Sequence, residues 1–173
     1  MFIFFIFFSA CKQSVKRLET TSYKIYNAET TSTEDEQILI GPTTRIGLES
    51  KPYVDWFNES YSSYQLDSIR LDTLKTLLSD ISIKVFLATW CEDSQREVPS
   101  FFKMLDYLQF DNSRLELISV DREKKSNGGE TEGMNIEFIP TFIFFHLNQE
   151  VGRITESATN SLEIDLLSIV QKV

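Results

Sequence analysis

Polar and hydrophobic positions change rhythm several times along the chain, and the changes outline an alternation of helices and strands. Met1 to Phe8 are all apolar, whereas Lys12 to about Gly41 is rich in Thr, Ser, Glu and Lys with few large side chains. That composition predicts a solvated tether, and the weak alternation of Tyr23, Ile25 and Tyr26 makes a small strand only the lesser reading. From Tyr53 the pattern turns globular. Pro52 suits a helix start, and Val54, Trp56 and Phe57 supply one apolar side. Leu71, Leu74, Leu77 and Leu78 recur at helical spacing in a second segment ending near Ser79 and Asp80.

Ile81 to Thr89 becomes an almost unbroken apolar run after Lys84, the signature of a central strand buried on both faces. It stops at Trp90 and Cys91. Val98, Phe101, Phe102, Leu105 and Leu108 then mark a helix within Ser94 to Phe110, in which Pro99 implies a kink. Leu115 to Val120 predicts a second buried strand. Arg122 to Gly133 reads as a charged surface connection with room for a short helix, and its glycines lack phosphate-binding spacing. Phe138 to Phe145 leads into a third strand, a turn at Asn148 and Gln149 joins it to Val151 to Ile154, and Leu162 to Val170 closes as an amphipathic helix. This order calls for an α/β sandwich, a central mixed sheet with helices on both faces.

Composition narrows the function classes. The 173 residues fit one domain plus an extension, and 42% hydrophobic residues, including 14 Phe, suffice for a core. A net charge of -9 has the wrong sign for neutralising phosphates, so nucleic acid is excluded as an expected partner. Of the two cysteines, Cys11 follows the apolar start through Ser9 and Ala10, while Cys91 lies at the strand-to-helix junction. Separate jobs are expected of them. Eight apolar residues are too few to span a bilayer, which takes about 20. The segment 1–11 resembles a bacterial lipobox, although no Lys or Arg precedes its apolar run. The resemblance implies a lipid on Cys11, a tether over 12–46, a domain over 47–173, and residence in the cell envelope facing the periplasm or exterior.

Three features coincide in that domain: Trp90-Cys91-Glu92-Asp93-Ser94 after an apolar strand, Pro99 in the helix that follows, and Ile139-Pro140-Thr141 opening a later strand. Together they resemble the thioredoxin superfamily over about Ile81 to Val173. The resemblance implies a cis Ile139–Pro140 peptide facing the thiol loop, with Ile139 as a docking point for extended polypeptide and Trp90 as part of the same surface. It implies Cys91 as nucleophile and Ser94 in the place of the resolving cysteine. Serine cannot close a disulfide, and Val85 stands where thioredoxins commonly hold a buried acid, so only single-thiol chemistry is left.

A helix start favours the thiolate, while Glu92 and Asp93 oppose it by like charge. Ser94 is expected to support the thiolate by hydrogen bonding. His146, the sole histidine, is expected to be structural, and Glu130, Glu132 and Glu137 to form a solvated face. One cysteine and one histidine within the domain cannot make a usual zinc set, no cofactor is expected, and Ala88 stands where peroxiredoxins have threonine. The leading expectation is a lipid-anchored thiol–disulfide exchange or isomerase-like factor acting through Cys91 on protein thiols or disulfides. The alternative is a non-catalytic module that holds a partner polypeptide around Trp90, Ile139 and Pro140.

Overall fold

A computed structural model describes residues 24–173. Cys11 and the lipobox-like segment lie outside the described residues. The strands are β1 (Ala28–Thr31), β2 (Gln37–Thr43), β3 (Ile81–Leu87), β4 (Leu115–Ser119), β5 (Thr141–His146) and β6 (Gln149–Thr155). The helices are α1 (Arg45–Leu48), α2 (Val54–Ser63), α3 (Ser68–Leu74), α4 (Glu92–Leu108) and α5 (Leu162–Val170).

The six strands form one sheet in the order β1-β2-β4-β3-β5-β6. Only β3 and β4 run parallel, as a crossover through α4 requires. β5 lies antiparallel to β3 on its other side and continues through a hairpin into β6. The sheet is therefore mixed and packed against helices, the α/β architecture expected from the element order, although among the described residues the helices gather on one face where both were expected.

Within the 12–46 stretch expected to be a tether, Ala28–Thr31 and Gln37–Thr43 instead form β1 and β2. Ile38, Leu39 and Ile40 are buried, and β2 pairs with β4 in the register Gly41 to Ser119 and Thr43 to Leu117. Gly41 has φ +76, and a Cβ there would collide with Asn127 of the connection that closes over it. The helical patterns were also slightly long. α2 begins at Val54 rather than at Pro52, which follows a cis bond in the preceding turn, and α3 stops at Leu74 with Leu77 and Leu78 packing from the turn beyond. Pro99 sits buried inside α4 without ending it.

The main core joins one face of the sheet to all the helices. Leu48, Phe57, Leu71, Phe101, Leu105, Leu166 and Ile169 meet Val85, Leu87, Phe142 and Phe144 there. Phe101 lies 4.7 Å from Phe142, centroid to centroid, so α4 is wedged against β5 by aromatic contact. The opposite face carries a smaller cluster of Phe86, Ala88, Ile118, Val120, Ile139 and Ile143. What covers it is the 121–140 connection, through Met134 and Ile136, and this stretch forms turns without a helix. The parity of β3 explains the two clusters: Val85 and Leu87 face the helices, and Phe86 faces the connection.

Candidate functional site

The site forms where β3 ends and α4 begins. Leu87 closes the strand, and three residues turn the chain so that Cys91 becomes the N-cap of α4, at φ -97 and ψ 121. Every residue of the turn is tied down. The Cys91 N–H donates to Ala88 O at 3.1 Å, and Gln95 Nε2 donates to Thr89 O at 2.7 Å. The Leu39 N–H reaches Thr89 Oγ1 at 3.3 Å, so β2 helps hold the loop. Trp90 Nε1 donates to Val120 O at 3.1 Å, beyond the end of β4.

Across this turn stands the Ile139–Pro140 peptide, which is cis. The Cys91 Sγ donates to Ile139 O at 3.4 Å. Ile139 has its side chain buried in the smaller core cluster, and Pro140 is buried as well. Cys91 is a free, half-buried thiol. Phe138, next to Ile139 in the chain, is 48% exposed, so an apolar side chain faces solvent beside the cis proline segment.

Trp90, Cys91, Ile139 and Pro140 thus meet at the carboxyl end of β3, where open α/β sheets place their sites. Ser94 is also there but turned inward. It is fully buried, and its Oγ accepts from the Ala88 N–H at 3.1 Å, so it caps the strand end instead of meeting the thiol. Val85 is fully buried among apolar neighbours. His146 pairs with Ile81 at the opposite end of β3, about 20 Å from the site at ~3.3 Å per residue. A Cys–His dyad is excluded by that separation.

The acids beside the cysteine differ in their surroundings. Asp93 is paired with Arg96 at 2.6 Å, whereas Glu92 is exposed and forms no ion pair among the described residues. Glu97, one turn further along α4, is largely buried, and this burial raises its carboxyl above the ordinary value against the pull of Arg96. Among the described residues no three His, Cys, Asp or Glu side chains converge as metal ligands would.

Two arginines that sequence pattern did not single out shape the site. The Arg122 guanidinium lies 4.8 Å from the Trp90 ring centroid and pairs with Glu34 at 2.6 Å and Glu36 at 3.3 Å. It clamps the indole to the β1–β2 hairpin, a contact worth about 0.5–1 kcal/mol where partly exposed. Arg153 on β6 donates from Nη1 to Met134 O at 3.1 Å and Asn135 O at 3.4 Å, fixing the chain that leads to Ile139. Neither arginine belongs to a motif, and both act on segments distant in sequence.

A helix-capping cysteine facing a cis proline, on a mixed sheet with a parallel β3–β4 pair, decides the architecture. The fold is thioredoxin-like. A crystal structure of a Pseudomonas aeruginosa protein of unknown function, PA1234, is similar, with a TM-score of 0.50 and 16% identity over 69% of this chain and 82% of that one. Oxidised mitochondrial thioredoxin 3 from Saccharomyces cerevisiae aligns over 66% of this chain and 99% of that one, at 18% identity and a TM-score of 0.38. No protein-family model matches the chain, and no curated protein matches it. At 16% identity the likeness to PA1234 is one of fold alone.

Proposed function

We propose that this chain is a polypeptide-docking module, held in the cell envelope by a lipid on Cys11, whose partner lies extended across Cys91 and Ile139. One observation carries the reading. Ile139 is pinned through its buried side chain, yet its backbone N–H has no hydrogen-bond partner among the described residues. A fixed, unsatisfied donor beside an exposed Phe138 is what an incoming strand would complete. The inward turn of Ser94 and the apolar setting of Val85 favour docking over turnover, because neither supplies a second thiol or a proton relay.

The thiol supports a second reading in the same groove. As a thiolate, Cys91 would attack one sulfur of a partner disulfide. A new S–S bond forms, the old one breaks, and the partner's other sulfur leaves as thiolate with no net oxidation. Release then needs a thiol from another molecule.

The two readings part in one experiment, a photo-crosslinker at position 138 in the native envelope with Cys91 intact or changed to Ser. Docking predicts the same adducts in both. Adducts that vanish with Cys91→Ser indicate thiol exchange, and no adduct in either contradicts both. For the anchor, Cys11→Ala is expected to move the protein from the detergent phase to the aqueous phase, and unchanged partitioning would contradict lipidation at that residue.

A further inference from the structure

The segment Ile136 to Ile139 is fixed at both ends and open between them. Arg153 holds Met134 O and Asn135 O while gripping Glu150 through Nε and Nη2 at 2.6 Å each. At the other end Thr141 Oγ1 donates to Phe138 O at 2.7 Å, and β5 begins. Between these anchors, none of the N–H groups of Ile136, Glu137, Phe138 and Ile139 is hydrogen-bonded among the described residues. A backbone edge already ordered when empty loses little entropy on pairing with a strand.

The acids on this edge and next to Cys91 are unpaired among the described residues: Glu137 lies on the edge and Glu92 follows Cys91, and both are exposed. The neighbouring arginines are already occupied: Arg122 by Glu34 and Glu36, Arg96 by Asp93 and Glu97, Arg153 by Glu150. Lys124 and Lys125 lie in the turn after β4, within a connection that also carries Asp121, Glu123, Glu130 and Glu132. The excess of acid matches the chain's net charge of -9.

We infer that the partner is a basic, extended polypeptide segment that adds as a strand along Ile136–Ile139, its cationic side chains facing Glu92 and Glu137. This rests on the docking reading above and names the partner's chemistry. Electrostatic complementarity of this kind selects partners and speeds encounter.

The test uses the full-length chain under reducing conditions, so that thiol exchange cannot contribute. Fluorescent peptides with the same alternating Val–Thr core carry flanking lysines, serines or glutamates, and binding is read by anisotropy. The lysine peptide is expected to bind about tenfold tighter than the glutamate peptide, with the serine peptide between them. The advantage is expected to shrink at about 0.5 M salt, where screening shortens to roughly 4 Å. The double variant Glu92→Lys/Glu137→Lys, altered at exposed positions, is expected to reverse the order. Equal binding of lysine and glutamate peptides, or an order unmoved by the double variant, overturns this inference and leaves docking standing. No binding in any arm overturns both.

Discussion

Ser94, expected from the sequence to support the thiol, works on the backbone instead. Its buried Oγ is the partner of the Ala88 N–H at the end of β3, so removing it leaves a buried donor unsatisfied. Ser94→Ala is expected to cost about 1–3 kcal/mol in denaturant unfolding while leaving the rate of Cys91 labelling within twofold. A large change in labelling at unchanged stability would show that Ser94 acts on the thiol. Glu116 gives a pH signature elsewhere in the sheet. Burial works against its ionised form, but hydrogen bonds and charge from Lys24 at 2.5 Å and Lys84 at 3.1 Å outweigh it and hold the carboxyl below the ordinary 4.5. A depressed folded-state value means stability that is present above pH 4.5 and lost as pH falls through the folded value. Wild type is expected to lose more stability than Glu116→Gln between pH 7 and pH 3, by a few tenths to about 1 kcal/mol given the partial exposure.

Among the elements, β6 and α5 are matched to within a methyl group. A Cβ on Gly152 would lie 2.8 Å from Ile169 Cγ2 and 2.9 Å from Cγ1, so α5 packs on β6 only because that residue is glycine. Gly152→Ala is expected to destabilise the fold by about 1–3 kcal/mol, and combining it with Ile169→Ala to cost less than the two changes summed. Strict additivity in the cycle would contradict the contact. The same scale shows why some elements were legible in sequence and others not. β3, α4 and β5 announce themselves through long apolar runs or helical spacing, because each is buried along most of its length. β2 carries only Ile38, Leu39 and Ile40 before Gly41 and Pro42, residues that normally interrupt strands, and β1 is an edge strand with mostly exposed side chains. Their strand form comes from pairing with β4, a tertiary contact that local pattern does not encode.

For the whole molecule, the site is the meeting of two segments about 50 residues apart, Trp90–Cys91 and Ile139–Pro140, joined by the Sγ to carbonyl contact of 3.4 Å. Those four residues were legible together through the resemblance to the thioredoxin pattern, since a strand-start proline alone carries no such meaning. Arg122 and Arg153 were not, since their value lies in what they clamp: one holds Trp90 to the β1–β2 hairpin, the other holds Met134 and Asn135 to β6. The β1–β2 hairpin is therefore tied through Arg122 to the Trp90 loop, and the 121–140 connection rather than a helix covers the second sheet face. The most direct test of docking is amide hydrogen exchange at Ile136–Ile139 with and without saturating lysine-flanked peptide. The account predicts strong slowing at Ile139 and at the alternate residue Glu137, whose N–H groups face the added strand and gain partners. Unchanged exchange along 136–139 in the presence of bound peptide would contradict it.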